Sequence, residues 1–450
     1  MKRITSYCLA FVMLLVFSIA EGYAQETISL EKALEVALTN NLQIKQVQFQ
    51  AALSEQDLRQ AKMNFFPTVN SNISSDFRWG SYFDQLTGSL NTQSVNSVNG
   101  NISTSSMIFQ GFQRVNQVLA NKYLLLADQS SVEKAKNDLQ LAVVTTYLEA
   151  LTNQDLALAS LEQLKLSTQQ LEVEQINFDV GNRTLADLSQ AKSQVAIDES
   201  NVTSTQNAFD LSMLNLKQLM EMDPSVEIVL EKPILEDPSN IESSYSAKEV
   251  FDYAVENFPE IDFAVYNSEI AKTNIDIAKG GFYPTLSASA GMGSGYTSSF
   301  IDPTTNAIMV FRDQLRANRS EYIGLTLSIP IFNNFRTRIG VKKATISYQN
   351  ALLGEQRAKN DLNKIINQAV LDLRAADKNY TSSRLVFESM KDAFNVIKQR
   401  YDVGIANAME LSTSQTNMNR AEFDFITAKY NMIFRSKVID FYLGKSISFD

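Results

Sequence analysis

Two periodicities alternate along the chain. Over residues 29–64 apolar positions recur at helical spacing, with Leu30, Leu34, Ala37 and Leu38 on one face, a break at Asn40-Asn41 and a stop at Pro67. From Thr68 to Ile108 the period becomes two. Val69, Ile73, Phe77 and Trp79 share one parity, and Val98, Ile102 and Ile108 share another, which predicts two strands around a polar loop near residues 80–95. From about Arg114 to Phe178 there is no proline, so at 1.5 Å per residue the run predicts a helix of roughly 95 Å. Leu164, Leu171 and Phe178 fall seven apart. After Gly181 the stripe Leu188, Val195, Val202, Phe209 and Leu216 keeps the same spacing. A seven-residue repeat in both arms predicts an antiparallel coiled-coil hairpin. The apolar faces are narrow and the remaining positions are rich in Gln, Asn, Ser and Thr, which suits a thin, wet wall of helices better than a broad globular core.

This plan is written twice. Ala135-Lys136-Asn137-Asp138-Leu139 returns as Ala358-Lys359-Asn360-Asp361-Leu362, a shift of 223, and Phe66-Pro67 returns as Tyr283-Pro284, a shift of 217. A repeat of this length sets the architecture. The difference, 223 − 217 = 6 residues, falls between Pro284 and Ile331, so the second copy carries the longer loop there. The second copy has a helical run over 247–279, and alternation at Leu286, Ala288, Ala290 and Met292. Its clearest strand runs from Tyr322 to Ile331, with Ile323, Leu325, Leu327, Ile329 and Ile331 on one side and Gly324, Thr326 and Ser328 on the other. A long helix over 336–401 follows, then the stripe Leu411, Met418, Phe425, Met432 and Ile439. The expected organisation is a signal peptide (1–24), a first repeat (25–220; strand pair about 68–108, hairpin about 114–220) and a proline-bearing linker or equatorial segment (221–246). A second repeat (247–443; strand pair about 284–331, hairpin about 336–443) and a tail (444–450) complete it.

The N-terminus reads as an export signal: Lys2 and Arg3, an apolar stretch from Leu9 to Ile19, and a small-x-small site at Gly22-Tyr23-Ala24. The apolar run is short of the ~20 residues a spanning helix needs. The one cysteine, Cys8, would leave with it, so no thiol, disulfide or cysteine metal ligand is expected in the mature chain. There is no histidine, which excludes Ser-His and Cys-His nucleophilic systems and histidine-bearing zinc sites. No cofactor, metal or catalytic residue is expected. The formal charge is −10, and removing Lys2, Arg3 and Glu21 (net +1) leaves −11, which argues against nucleic acid as a partner.

Each long hairpin turns at a Val-Gly: Phe178-Asp179-Val180-Gly181-Asn182-Arg183-Thr184 in the first copy, and Tyr401-Asp402-Val403-Gly404-Ile405-Ala406-Asn407 in the second. Glycine supplies the left-handed conformation that closes a helix, and Thr184 and Asn407 are suited to cap the next one. Six residues beyond each glycine stands a carboxylate, Asp187 and Glu410. Such acids are either solvated helix charges or, if hairpins ring an axis, a cation-drawing constriction. The strands admit two readings as well: an ordinary sheet over a soluble core, or a wall between lipid and water.

The duplication, strand pairs, signal peptide and paired Val-Gly tips together resemble the TolC-type outer-membrane efflux and secretion channels, over essentially the whole mature chain. The resemblance implies a mainly α fold with membrane β: long antiparallel coiled-coil hairpins plus four β-strands per protomer, and a homotrimer sharing one β-barrel in the outer membrane and an α-helical barrel across the periplasm. It implies a passive exit duct, not an enzyme, whose tips dock on a periplasmic adaptor (membrane-fusion) protein joined to an inner-membrane pump. Val180, Gly181, Val403 and Gly404 match the docking tips. Asp187, Tyr401 and Glu410 match gate positions: a tip-locking acid, a residue whose hydrogen bonds hold the inner hairpin closed, and the constricting ring. Two departures stand out. Thr413 occupies the place of a second acidic ring, and Ala406 that of a basic partner two residues past the second glycine. Arg183, two past the first glycine, is a candidate substitute.

Trp79, Tyr82 and Phe83 are candidates for an interfacial aromatic belt or for loop packing. Arg312, Arg316 and Arg319, in the longer loop, are candidates for lipid phosphates or for plain solvation. The rival class is an exported coiled-coil scaffold or adhesin without transport activity. Strand parity separates the two, because a duct needs apolar residues on one face of all four strands, and the first strand pair is the less apolar one. A third class, an exported carboxylate hydrolase, would need two converging acids, which no spacing suggests.

Overall fold

The computed structural model describes residues 26–84, 88–232, 242–302, 304–305 and 307–445. The expected signal peptide, Pro233 and Asp237-Pro238 of the linker, and residues 446–450 of the tail lie outside the described residues. In chain order the elements are β1 (Glu26–Ile28), α1 (Leu30–Asn40), α2 (Leu42–Met63), β2 (Thr68–Asp84), β3 (Ser89–Gln110), α3 (Gln113–Asp179), α4 (Leu185–Leu219) and β4 (Ile228–Leu230). Then come α5 (Ala247–Asn257), α6 (Pro259–Lys279), a 3-10 turn (Gly280–Phe282), β5 (Thr285–Thr297), α7 (Phe311–Ala317), β6 (Ser320–Ser328), α8 (Arg336–Asp402) and α9 (Ala408–Tyr442). The duplication is plain: α3 and α8 each contain 67 residues, and α4 and α9 each contain 35. Among the described residues no helix is long and apolar enough to cross a membrane.

The breaks have local causes. Asn41 ends α1, its N–H donating to Ala37 O at 2.9 Å. Its side-chain oxygen then starts α2, accepting from Gln43 N (2.9 Å) and Ile44 N (3.2 Å). In the second copy the helical run over 247–279 also divides, because Pro259 lacks an N–H and takes the first position of α6.

The chain divides into two compact units. The first comprises residues 1–47, 132–259 and 359–450. Its core gathers Ile28, Leu30, Ala33 and Ala37 with Val143, Val144, Tyr147 and Leu151 of α3, Leu216 of α4 and Ile433 of α9. Here β1 pairs in parallel with β4, Glu26 opposite Ile228 through Ile28 opposite Leu230. The buried Tyr147 hydroxyl lies 3.0 Å from Ile28 O and 2.7 Å from Glu231 O, so one phenol proton serves both strands. Part of the expected linker is therefore a structural strand.

The second unit comprises residues 48–131 and 260–358 and holds an antiparallel sheet in the order β2-β3-β5-β6. Its register sets every side chain's face. Val69 pairs with Thr104, Thr104 with Ala290 and Ala290 with Ile323. Along that face run Ile73, Phe77 and Trp79 of β2, Val98 and Ile102 of β3, Leu286, Ala288 and Met292 of β5, and Leu325 and Leu327 of β6. The opposite face carries Asn70, Asn72, Ser74, Asn99, Asn101, Ser103, Ser287, Ser289, Gly291, Gly324 and Thr326. A bulge at Met107/Phe109 takes Ile108 out of the alternation. At the helix end of the sheet Gly111 (φ +56°) and Gly280 approach so closely that a Cβ on Gly111 would fall 2.2 Å from Gly280 O.

Three expectations are corrected. The polar loop near 80–95 is far shorter, because β2 and β3 stay paired out to Asp84 opposite Ser89. The last strand ends at Ser328, before Pro330, so Ile329 and Ile331 are not strand residues. The longer second loop contains α7, which no period foretold. There β5 runs on past β6, whose pairing stops at Gly293 opposite Ser320. α7 supplies the missing partners: the buried Gln314 accepts from Thr297 N and donates to Thr297 O, both at 2.9 Å, and Asn318 donates to Gly295 O at 2.7 Å.

Candidate gate at the hairpin tips

Both tips of the first unit close by the same backbone device. Gly181 and Gly404 each adopt φ +79°. In the first tip Gly181 N donates to Phe178 O (2.9 Å) and Asn182 N to Asn177 O (2.8 Å); in the second Gly404 N donates to Tyr401 O (3.0 Å) and Ile405 N to Arg400 O (2.8 Å). This is the Schellman closure, which satisfies carbonyls that a helix end otherwise leaves bare. A Cβ at either glycine would meet open space, so only the positive φ demands glycine. Val180 and Val403 stand exposed, together with Leu185, Ile405 and Met409, which the motif did not single out.

The two acids sit at equivalent places, the third residue of the returning helix. Thr184 and Asp187 form a capping box: Asp187 N donates to Thr184 Oγ1 (3.2 Å), and Thr184 N donates to Asp187 Oδ2 (3.0 Å). The Thr184 hydroxyl, then its backbone N–H, holds the Asp187 carboxyl below the usual carboxylate range. Asn407 caps α9 by accepting from Glu410 N at 2.9 Å, and the exposed Glu410 receives the Asn407 amide at 3.4 Å. The hydrogen bonds of Asp187 thus lie within its own tip.

At the turns themselves, Arg183 crosses between hairpins. Its Nη2 donates to Tyr401 O at 3.1 Å, its guanidinium lies 4.2 Å from the centre of the Tyr401 ring, and its Nε is 3.8 Å from Glu174 Oε2. Tyr401 is buried with Ala406 and Leu411, and burial, then the neighbouring Glu174 carboxylate, pushes its phenol pKa up. Ala406, at the place where a basic residue was expected, is therefore part of an apolar seat, and the cation comes from the other tip. Glu174 is buried, its side chain 2% exposed; Gln170 donates to Oε1 at 2.8 Å, while Oε2 has no hydrogen bond. It escaped notice in the sequence, yet a signal exists: Ser160, Ser167 and Glu174 are seven apart, a polar stripe at core spacing, and all three are buried.

Away from the turns the hairpins continue to meet through polar side chains. Gln190 donates to Ser412 Oγ (3.0 Å), Ser412 to Gln194 Oε1 (3.1 Å) and Gln163 to Glu422 Oε2 (3.0 Å), while within α4 Gln194 donates to Asp198 Oδ1 (3.1 Å). Burial raises the Asp198 carboxyl pKa, with hydrogen bonds from Ser167 and Gln194 opposing the rise. A small cavity lies among Glu174, Gln190, Gln194, Tyr401 and Gln415. Helices joined through amides and hydroxyls separate with less apolar exposure than a leucine seam would incur.

Comparison with known proteins bears on the whole chain. Residues 33–220 and 250–445 match the family model described as outer membrane efflux protein. The chain is 20% identical to the outer membrane protein TolC of Escherichia coli over 412 residues, covering 89% of this chain and 82% of TolC. It is 22% identical to the alkaline protease secretion protein AprF of Pseudomonas aeruginosa over 348 residues, covering 74% of this chain and 67% of that one. Its fold superposes on the crystal structure of the Campylobacter jejuni CmeC outer membrane channel with a TM-score of 0.79 at 17% identity, covering 92% of this chain and 85% of CmeC. The chain belongs to the outer membrane efflux protein family, the TolC-type channels of the outer membrane that reach into the periplasm, and it is a channel rather than an enzyme.

Proposed function

We propose that this protein is the passive, trimeric exit duct of a tripartite efflux or type I secretion system, opened at its periplasmic tips by an adaptor and pump. The observation that carries this reading is the sheet register. The apolar side chains of all four strands gather mainly on one face, interrupted at positions such as Ser71, Asn96, Thr104 and Ser106, and the other face is mainly polar or glycine, with exceptions such as Val95 and Tyr322. That is the pattern of a wall between lipid and water, and an exported scaffold has no need of it. β2 and β6 are left as edges, running in opposite directions. Joining β6 of one copy to β2 of the next, antiparallel, closes the wall and satisfies backbone groups that lipid cannot.

In this reading the tips are the gate. Opening separates the second hairpin from the first, and Arg183, Tyr401 and Glu174 resist that separation. Glu410, exposed at the start of α9, draws cations to the mouth, and Asp187 keeps its own tip in shape. Val180, Gly181, Val403 and Gly404, with the apolar Leu185, Ile405 and Met409 around them, receive the adaptor. The duct supplies no work of its own; the pump does.

The test is planar-bilayer current from the detergent-purified mature protein beside an Asp187→Ala/Glu410→Ala variant. Small, cation-preferring steps that enlarge in the variant support a duct gated at acidic tips. Silence from both, with insertion verified independently, favours the scaffold.

A further inference from the structure

The loop between β5 and β6 holds two arginines that have no partner among the described residues, beside an uncovered apolar surface. α7 sits at the end of β5, bound through Gln314 and Asn318, and Ser294 Oγ donates to Leu315 O at 2.7 Å. The Phe311 ring packs 5.1 Å from Tyr296. By the alternation of β5, Ser294 and Tyr296 belong to the same face as Ala288, Ala290 and Met292, the apolar one. α7 therefore continues the lipid-facing surface of the sheet at the loop end, opposite the end where α2, α3, α6 and α8 join the strands.

Around it the apolar side chains Ile301, Ile308, Val310 and Phe311 are exposed, from 45% to 63%. Arg312 and Arg316 are four apart, so they share one helical face, turned away from Gln314 and the sheet. Both are exposed, and neither has a hydrogen bond or ion pair among the described residues. Arg319, by contrast, is held by Glu321. Of the acids nearby, Asp302 accepts from Thr304 N, and Asp313, three residues before Arg316 on α7, forms no ion pair with it among the described residues.

We infer that α7 with Ile308 and Val310 lies at the outer interface of the membrane, where Arg312 and Arg316 grip the phosphates of an anionic glycolipid of the outer leaflet. The inference rests on the duct reading for which end of the sheet faces outward. Apolar side chains anchoring a short helix at headgroup depth, with cations on its other face, are the pattern of an interfacial anchor. Arginine's planar fork suits phosphate oxygens in pairs.

The test compares the mature channel with Arg312→Gln/Arg316→Gln, both purified in mild detergent. Retention of added bisphosphoryl lipid A through washing is measured by mass spectrometry, with dephosphorylated lipid A as the second probe. Two arginines at an anionic surface correspond to about thirty-fold in affinity. Bisphosphoryl lipid A should therefore bind the variant roughly thirty-fold more weakly, and the dephosphorylated lipid should not distinguish the two proteins. Equal retention by variant and wild type overturns the inference. So does unchanged retention accompanied by dissociation of the oligomer, which would make α7 a brace between copies. Bilayer conductance recorded on the same samples tests the duct separately, since lost conductance with intact phosphate discrimination removes the duct reading and leaves the lipid contact standing.

Discussion

Replacing Arg183 with alanine should unlatch the tips. The side chain is 21% exposed; it makes two contacts across the hairpins, a charged hydrogen bond to Tyr401 O and a ring contact at 4.2 Å, and within its own hairpin it approaches Glu174 at 3.8 Å. A hydrogen bond from a charged donor contributes about 1.5 kcal/mol at the low end suited to a partly wet group. The ring contact adds about 0.5 kcal/mol. Losing the cation also leaves a buried carboxylate without compensation, about 1 kcal/mol more. The total, about 3 kcal/mol, corresponds to roughly a hundredfold shift of the closed–open balance toward open. Single-channel open probability at low voltage measures it directly. A second variant, Glu174→Gln in the Arg183→Ala background, removes the stranded charge and should restore part of the closed state. If Arg183→Ala leaves the open probability within a factor of about three while thermal unfolding is unchanged, the latch is elsewhere and the summed contacts do not hold the gate.

Three further outcomes are expected. Glu410→Ala should raise conductance and weaken cation preference; unchanged reversal potentials in a salt gradient would remove Glu410 from the mouth. Asp198→Asn should stabilise the protein at neutral pH. Its carboxyl pKa is raised by burial, so ionisation opposes folding above the unfolded value near 4. The advantage should grow as pH rises from the unfolded value to the folded one, level off above it and vanish in strong acid, as read from melting temperatures across pH. Tyr147→Phe should cost about 1–3 kcal/mol in denaturant unfolding, because the buried Ile28 O and the partly buried Glu231 O lose their shared donor; a near-neutral result would mean that water replaces the hydroxyl.

Much of the architecture was legible because it is periodic. The proline-free run from 114 to 178 reports a long helix, heptads in both arms report the hairpin, and a repeat at a fixed shift reports duplication. The glycine tips were legible because a positive φ and a cap impose residue types locally. What stayed hidden depends on contacts between distant segments. β1 and β4 are three residues each, too short to show a period, and their pairing spans about 200 positions. The common apolar face could not be read from the first strand pair, because Thr104 and Ser106 interrupt it; only the register against Ala288, Ala290 and their β6 partners aligns it. α7 is seven residues long and follows no stripe. Arg183 was visible as a charge, but its direction toward Tyr401 is set by how two hairpins pack. Glu174 is hidden from an apolar heptad, because here the buried positions are serine and glutamate.

The pairing of β1 with β4 has a consequence for the order in which the protein is made. The first strand waits for Ile228–Leu230 to be synthesised and exported, and β3 waits still longer for β5. The β2–β3 hairpin and the α3–α4 hairpin can form as the chain emerges, since their partners are adjacent in sequence. The seams that unite the halves close last, and closing long loops is what slows a fold. Cutting the chain between its repeats would therefore yield two fragments that each hold well-formed hairpins and lack the seam: the first would have β1 without β4, and β3 with a bare edge.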